Sequence, residues 1–399
     1  MLTIHHHPTS RSFRIVWMAE EMGLPYEVRA ESLVRRSSAL KELNPVGALP
    51  AVVDGDLVMT ESAAALQLIG ERHGPTPLVP AHDDPAYPAF LEALHYGESS
   101  LAAYLTPLVH TRFMAPDDQK TNWTAQRLAD MFLQRLAFAE RRRPPGPGST
   151  ERPSPRRTSA SAMPCASARP SACRTAIRPS SPTTTPACRP GRPISAPWRS
   201  SRSETRSLPM TLTVHHATGT RSIRVIWLLE ELGAAYERAA EPYPPRTQHP
   251  EYLQINSTGT IPAVVEDGRV LTESVAICQV LAEEHGRPDL QVEPGAPERA
   301  AYLQWLWYGE ATLPIPAGIM ARVRRLSTPA GTELLIEDVR LALTLRLNQL
   351  EAALADGRSY IVAGRFTLAD ISVAYTLLLA DRLGVGELVG ARSRAYIDG

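Results

Sequence analysis

The chain has 399 residues, more than one hydrophobic core normally supports, so its length predicts two or three domains. Its 42 basic and 42 acidic side chains cancel, and its four cysteines show no CxxC pair or metal-ligand spacing, which argues against thioredoxin-type redox chemistry and structural zinc. Neither a signal peptide nor an apolar run of ~20 residues is apparent, so we expect a soluble cytoplasmic protein.

The first elements along the chain form a βα pattern. Leu2–His6 is β-prone, and residues 11–23 have helical periodicity and end at Gly23, where a left-handed C-cap favours glycine. Further strands are predicted at 26–28, 51–53 and 57–59, the last two joined by an Asp-Gly-Asp turn. A helix over 61–74 completes a β-α-β-loop-β-β-α order, which predicts a small mixed sheet with helices packed on it.

The strand signals stop after this unit. Residues 86–113 and 121–140 have helical patterns, which indicates an all-helical region.

Residues 141–209 differ from the rest of the chain. They hold 14 prolines, 14 arginines and 13 serines with two acids, a net charge of +12, so the remaining residues carry −12. Such a segment cannot bury enough apolar surface to fold, and we predict a disordered linker, with nonspecific nucleic-acid binding as the minor alternative. Its composition also fits GC-rich DNA translated out of frame, a hypothesis that sequencing across codons 135–215 tests.

The first unit then occurs a second time. Residues 212–237 match 2–27 at 13 of 26 positions, and 256–274 match 44–62 at 10 of 19 positions. A period near 210 residues indicates a duplicated domain, and we call the two occurrences copy 1 and copy 2.

Copy 2 continues further than copy 1. Helices are predicted at 298–326, 331–355 and 367–383, with one buried leucine stripe from Leu343 to Leu354. Thr367 and Asp370 have the spacing of an N-terminal capping box, which we interpret as structural. Copy 1 lacks counterparts of these later helices.

Both copies resemble soluble glutathione transferases of the bacterial serine type. The matching motifs are residues 10–23 and 220–233, the Asn-x-x-Gly-x-Leu/Ile-Pro-Ala-Val segments at 44–52 and 256–264, the Thr-Glu-Ser triplets at 60–62 and 272–274, and Phe-Thr-x-Ala-Asp at 366–370. The resemblance implies an α/β thioredoxin-like N-terminal domain plus an all-α C-terminal domain, present twice with the first copy incomplete. The expected domains are 1–80 and 84–140 in copy 1, the linker 141–209, and 210–288 and 294–399 in copy 2.

The resemblance also implies how glutathione is activated. In serine-type members a hydroxyl just before the first helix donates a hydrogen bond to the glutathione sulfur, and the helix N-terminus adds positive potential. The positions implied are Ser10 and Thr220, with Ser12 and Ser222 as fallback catalytic residues. Helix capping is the alternative explanation for all four hydroxyls.

The same resemblance implies a set of glutathione-binding residues. Pro50 and Pro262 are expected to be cis, presenting the backbone of Leu49 or Ile261 to the cysteinyl part of glutathione. The γ-glutamyl end is expected to bind Glu61 and Ser62, or Glu273 and Ser274. A lysine that often follows the motif glycine is replaced by Ala48 and Thr260. Weak candidates for the glycyl carboxylate are Arg35, Arg36, Arg246 and His249.

Two further groups of residues have structural explanations that we prefer. His5–His7 and His215–His216 lie on predicted strands, where neighbouring side chains face opposite ways, and no acidic cluster accompanies them, so we predict no metal. Trp305, Trp307 and Tyr308 fit the helical core better than a second-substrate pocket.

The leading hypothesis is therefore an enzyme that conjugates the glutathione thiolate to a small hydrophobic electrophile, a detoxification chemistry. The rival is a non-catalytic module that keeps the fold and binds glutathione or acts as a scaffold. Glutathione is the co-substrate in the first reading. The resemblance also implies a homodimer or, because a 69-residue tether spans roughly 45 Å, an internal pseudo-dimer of the two copies. No membrane partner is expected, and a nucleic-acid partner is the least favoured alternative.

Overall fold

A computed structural model describes residues 1–33, 35–113, 117, 120–121, 123–142, 212–325 and 332–398. The predicted linker lies outside these ranges except for residues 141 and 142, so it stays a prediction. No helix in the described ranges is long and apolar enough to cross a membrane.

Each copy begins with a four-stranded mixed sheet. The strands are β1 (Leu2–His6), β2 (Tyr26–Ala30), β3 (Ala51–Asp54), β4 (Leu57–Met59), β5 (Leu212–His216), β6 (Glu237–Ala240), β7 (Ala263–Glu266) and β8 (Arg269–Thr272). The orders are β2-β1-β3-β4 and β6-β5-β7-β8, with the first pair parallel and the other two pairs antiparallel. Leu2 lies opposite Tyr26 on one side and Asp54 on the other. Both sheets therefore have the predicted βαβ unit followed by a hairpin.

Helices pack on each sheet and also form the helical region that follows it in the chain. In copy 1 they are α1 (Phe13–Glu21), α2 (Ser38–Leu43), α3 (Ser62–His73), α4 (Tyr87–His95), α5 (Ala103–Phe113) and α6 (Trp123–Arg142). In copy 2 they are α7 (Ser222–Leu232), α8 (Pro245–Gln248), α9 (Ser274–Glu284), α10 (Arg299–Trp307), α11 (Pro314–Arg325), α12 (Thr332–Ala353), α13 (Leu368–Ala380) and α14 (Ala391–Asp398). Wider π-helical turns, Tyr96–Ala102 and Tyr308–Thr312, follow α4 and α10.

Local sequence signals explain the ends of several helices. Gly23 and Gly233 have φ of 64° and 61°, the left-handed conformation expected after α1 and α7. The Thr367 N–H and hydroxyl both donate to the Asp370 carboxylate at 2.8 and 3.0 Å, so the capping box of α13 is confirmed. Leu343, Leu347, Leu350 and Leu354 are buried, which confirms the stripe on α12.

The fold is a thioredoxin-like domain followed by a helical domain, present twice. Copy 2 has α12, α13 and α14 in its helical domain, whereas the described part of copy 1 ends with α6. Helix α13 packs on α7 and α10, so it covers the thioredoxin-like domain of copy 2.

The two copies pack on each other through equivalent helices. Helix α3 contacts α10, and α4 contacts α9. Two matched hydrogen bonds join them: His95 to the Gln279 amide oxygen at 2.9 Å, and Trp307 Nε1 to the Gln67 amide oxygen at 2.6 Å. His95 and Trp307 also stack with ring centroids 4.0 Å apart. Since His95 and Trp307 occupy the same position in the repeat, the two copies pack about an approximate two-fold axis.

Candidate active site

A cis proline directly precedes the strand that follows each motif glycine. The Leu49–Pro50 and Ile261–Pro262 peptide bonds are both cis, which confirms this expectation. Next to Ile261 and Pro262 lies a cavity of about 550 Å³, whereas the cavity beside Leu49 and Pro50 has about 70 Å³. Only the copy 2 cavity therefore approaches the size of a site for a small organic molecule.

A chain of three side chains runs from each first strand to the turn before the next helix. In copy 2, the Thr220 hydroxyl lies 2.7 Å from the Ser222 hydroxyl, which lies 2.8 Å from His216 Nδ1. In copy 1, Ser10, Ser12 and His6 form the same chain with distances of 2.6 and 2.8 Å. Burial lowers the pKa of both histidines, so each ring is neutral at pH 7 and carries one proton.

The members of this chain differ in access to solvent and ligand. Ser12 and Ser222 are both 0% exposed, so neither hydroxyl is open to a ligand in this structure. Thr220, by contrast, lines the copy 2 cavity, and its hydroxyl donates to the Ala217 carbonyl at 2.7 Å. Thr220 is thus the member of the chain that borders the cavity in copy 2, and the Ser222 hydroxyl connects it to the histidine.

The carboxylate at the start of α9 is bonded by the other copy. Ser100 donates to Glu273 at 2.9 Å, and Ser99 donates to the same carboxylate. Glu273 has a φ of 65°, a conformation that non-glycine residues rarely adopt, and burial raises its pKa. Glu273 and Ser274 both line the larger cavity.

The equivalent carboxylate in copy 1 has the reciprocal arrangement. The hydroxyl of Thr312, the repeat counterpart of Ser100, donates to Glu61 at 2.6 Å. Burial raises the pKa of Glu61 to about 7. Its φ is −96°, and its backbone N–H donates to the Gln304 amide oxygen at 3.1 Å. Arg346 of copy 2 lines the same small cavity.

An arginine–glutamate ion pair contacts the helix-start serine in each copy, and the pair is fully buried in copy 2. In copy 2, Arg224 donates to Ser274 at 3.1 Å and pairs with Glu310, and both charged side chains are 0% exposed. Burial alone would raise the pKa of Glu310, but Arg221 and Arg224 together lower it, so it is ionised. Arg14 and Glu98 form the corresponding pair in copy 1.

Several basic side chains surround the larger cavity. Arg246, one of the weak candidates for the glycyl carboxylate, lines it from α8. Arg127 and Arg135 line it from copy 1, and Arg135 donates to the Thr258 carbonyl at 2.8 Å. His249, another candidate, instead contacts Glu241 at 2.6 Å.

The remaining candidates for the glycyl carboxylate lie in copy 1. Arg36 donates to the Ser32 carbonyl at 2.6 Å, and the Arg35 N–H is bonded to the Ser32 hydroxyl at 3.1 Å. The structure thus brings Arg246 to the larger cavity, whereas Arg36 is bonded within its own loop.

The sequence analysis did not identify any residue of one copy that lines the cavity of the other copy. Ser99, Ser100 and Arg135 line the copy 2 cavity from copy 1. The available signal was the repeat itself: Tyr-Gly-Glu at 96–98 and 308–310 is followed in each copy by a hydroxyl residue, Ser100 or Thr312. Only the packing of the copies shows that these hydroxyls bond the opposite copy.

The strand histidines have protein partners. His5 lies 2.8 Å from Glu31, and His215 lies 2.8 Å from Glu241. Across the described part of the chain, no group of three or more His, Cys, Asp or Glu side chains is placed to hold a metal ion. Trp307 is buried at the packing surface between the copies, and Tyr308 lines the small cavity.

Three segments of the chain match glutathione S-transferase domains. Residues 1–71 and 220–284 match family models of the N-terminal domain, and residues 347–397 match a family model of the C-terminal domain. The first two segments contain the cis prolines Pro50 and Pro262, respectively. The third contains the capping box of α13.

Individual relatives match only part of the chain. Glutathione S-transferase 3 of Schizosaccharomyces pombe is 38% identical over 108 residues, which cover 26% of this chain and 44% of that protein. Human glutathione S-transferase theta-2 is 30% identical over 147 residues, or 36% and 60% of the two chains. The chain thus spans less than two thirds of the length of both relatives.

Solved structures are similar over about half of the chain. Glutathione transferase URE2P6 from Phanerochaete chrysosporium, in complex with oxidised glutathione, is 24% identical with a TM-score of 0.41. The similarity covers 47% of this chain and 90% of that one.

Proposed function

We propose that this chain, which carries glutathione S-transferase domains in both copies, transfers glutathione to a small hydrophobic electrophile at the cavity of copy 2. The observation that carries the proposal is the convergence of Thr220, Pro262, Glu273 and Ser274 on one cavity of about 550 Å³. Mixed polar and apolar walls of this size fit a tripeptide and a small second substrate. The expected compartment stays the cytoplasm, because reducing conditions keep the thiol free.

The chemistry requires a thiolate at neutral pH. A free thiol has a pKa of about 8.5, so the site must lower that pKa by stabilising the anion. The Thr220 hydroxyl precedes α7, where peptide N–H groups add positive potential. The thiol loses its proton to solvent, and with the Thr220 hydroxyl proton directed at sulfur the thiolate attacks the electrophilic carbon to form a new C–S bond. In a substitution, the bond to the leaving group breaks and that group departs with the electron pair; in an addition, the displaced pair moves to the neighbouring atom of the electrophile, which takes up a proton from solvent.

Replacing the Thr220 hydroxyl tests this assignment. In Thr220→Val, the pKa of the bound glutathione thiol is expected to rise by about 1 to 2 units, because one charge-assisted hydrogen bond is worth ~1.5 to 3 kcal/mol. Ultraviolet titration of the thiolate band in the glutathione complex measures it. Ser10→Ala is the matched change in copy 1. An unchanged thiolate band in both variants, with glutathione still bound, contradicts catalysis by these hydroxyls.

The histidine at the inner end sets the direction of the hydrogen bonds. In the structure the Thr220 hydroxyl donates to the Ala217 carbonyl. When glutathione binds and this proton turns to sulfur, the Thr220 oxygen accepts a hydrogen bond from the Ser222 hydroxyl. The Ser222 oxygen in turn accepts a hydrogen bond from the His216 Nδ1–H group, and each bond polarises the next. His216 is thus a positioning residue that acts through two hydroxyls, and it must carry its proton on Nδ1.

Two substitutions at this histidine separate orientation from packing. His216→Leu removes the donor, and the bound thiol pKa is expected to rise by roughly 0.5 to 1 unit. His216→Asn places an amide N–H near the Nδ1 position and is expected to keep the thiol pKa near its starting value. Both are measured by thiolate titration in a Ser10→Ala background, which silences copy 1. Equal pKa values of the bound thiol in the Leu and Asn variants would contradict the hydrogen-bond chain from His216 to Thr220. Glutathione affinity at acidic pH, where the thiol is protonated in every variant, is the control for changes in packing.

Copy 1 fits the second candidate function, a non-catalytic scaffold. Its cavity has about 70 Å³, and its Glu61 is bonded by Thr312 through the side chain and by Gln304 through the backbone. Meanwhile its Ser99, Ser100 and Arg135 line the active cavity of copy 2. We therefore propose an internal pseudo-dimer in which copy 1 takes the place of the second subunit of a family dimer.

A further inference from the structure

Copy 1 retains a surface whose counterpart in copy 2 is covered by α13. This surface, which we call the open face, consists of Phe13, Arg14 and Trp17 on α1 and Gly97 in the π-helical turn. Their counterparts in copy 2 are Ile223, Arg224, Trp227 and Gly309. The copy 2 surface shows which chemical features its covering helix needs.

Glycine is required where α13 packs against the π-helical turn Tyr308–Thr312 of copy 2. A Cβ atom added at Gly309 would lie 2.4 Å from the Ser372 carbonyl carbon, far inside van der Waals contact. Ser372 also donates its hydroxyl to the Leu306 carbonyl at 2.8 Å. A helix can therefore pack here only if a small residue faces Gly309.

Arg224 and Trp227 hold the same segment from the side. Arg224 Nη2 donates to the Ser372 carbonyl at 3.1 Å, and its guanidinium lies 4.5 Å from the centroid of the Tyr375 ring. The Trp227 ring lies 5.8 Å from the Phe366 ring just before α13. A carbonyl acceptor, an aromatic ring over the arginine and an aromatic residue near the tryptophan thus complete the fit.

The open face has the matching groups, and no helix among the residues that the structure describes lies over it. A Cβ atom added at Gly97 would meet nothing within 4 Å. Arg14 donates through Nη1 to Ser62 and Glu98, and its side chain is 31% exposed against 0% for Arg224. Phe13 and Trp17 are 53% and 60% exposed. Adjacent exposed aromatic rings beside a half-open arginine are typical of binding surfaces.

We propose that the open face binds an α-helix of another polypeptide with the chemistry of residues 366–380. That chemistry is an aromatic residue at the entry, an apolar helix, a small residue opposite Gly97 and an aromatic ring over Arg14. The copy 2 interface supports this occupant, because Arg224, Trp227 and Gly309, the counterparts of Arg14, Trp17 and Gly97, contact such a helix and its entry there. The proposal is independent of glutathione chemistry.

The test uses the full chain and a labelled peptide with the sequence of residues 364–384. Fluorescence anisotropy is expected to show saturable binding, and hydrogen exchange is expected to slow in α1. Gly97→Ala is expected to weaken binding about tenfold or more, because the added methyl group occupies the space of the approaching backbone. Leu133→Ala, an exposed change on α6, is the control and is expected to leave binding unchanged.

A second peptide sharpens the result. Replacing the serine that corresponds to Ser372 by leucine puts a bulky side chain against Gly97, and we expect this peptide to bind at least about tenfold more weakly. Three results overturn the proposal: no binding at millimolar peptide, equal binding by the Gly97→Ala chain, or burial of Trp17 through self-association of the chain alone. The last result would make a second copy the occupant.

Discussion

Replacing Arg224 by Met is expected to lower the free energy of unfolding by about 3 to 5 kcal/mol. The substitution keeps the length of the side chain but leaves Glu310 ionised and 0% exposed, with Arg221 at 3.5 Å as its nearest cation. It also removes donors from the Gly309 and Ser372 carbonyls at 2.6 and 3.1 Å. Urea unfolding followed by circular dichroism measures the loss, provided that the m-value is unchanged.

Arg14→Met is the matched change in copy 1, and we expect a loss of only ~1 kcal/mol. Arg14 is partly exposed, and Glu98 keeps Arg11 at 3.2 Å. The double variant Arg224→Met/Glu310→Gln is expected to be more stable than Arg224→Met alone, because it removes the uncompensated buried charge. Equal losses in Arg14→Met and Arg224→Met would show that burial does not set the cost.

Much of each domain was predictable because its signals are local. The strands Leu2–His6 and Leu212–His216 follow from short β-prone runs, and the left-handed cap at Gly233 follows from a glycine after an apolar helix. The Thr367–Asp370 capping box depends on residues three apart, so spacing alone predicts it. Helix α14 carried no such signal and was missed.

The candidate site was only partly predictable, because its remaining contacts join distant segments. The hydrogen bond from Thr312 to Glu61 connects residues 251 positions apart, and the bond from Ser100 to Glu273 connects residues 173 apart. The periodicity of apolar residues in the sequence gives no information on pairs so far apart in the chain. The positive φ of Glu273 and the burial of Ser222 likewise depend on packing around the finished site, so the sequence left Ser222 as an open alternative.

Substituting Gly309 and its counterpart Gly97 is expected to change the free energy of unfolding in opposite directions. Gly309→Ala is expected to destabilise the protein by about 3 kcal/mol, because the added methyl group meets the Ser372 backbone, which cannot move aside like the end of a side chain. The substitution should detach α13 from α7 and α10, which hydrogen exchange in α13 detects.

Gly97→Ala makes the same chemical change at the equivalent position of copy 1. Nothing lies within 4 Å of the added atom, and alanine restricts the unfolded chain more than glycine, so we expect a gain of about 0.5 kcal/mol. The opposite signs follow from one difference, the presence of a helix above the glycine. If urea unfolding shows both variants equally destabilised, something already covers Gly97, and the open face is not available to a partner.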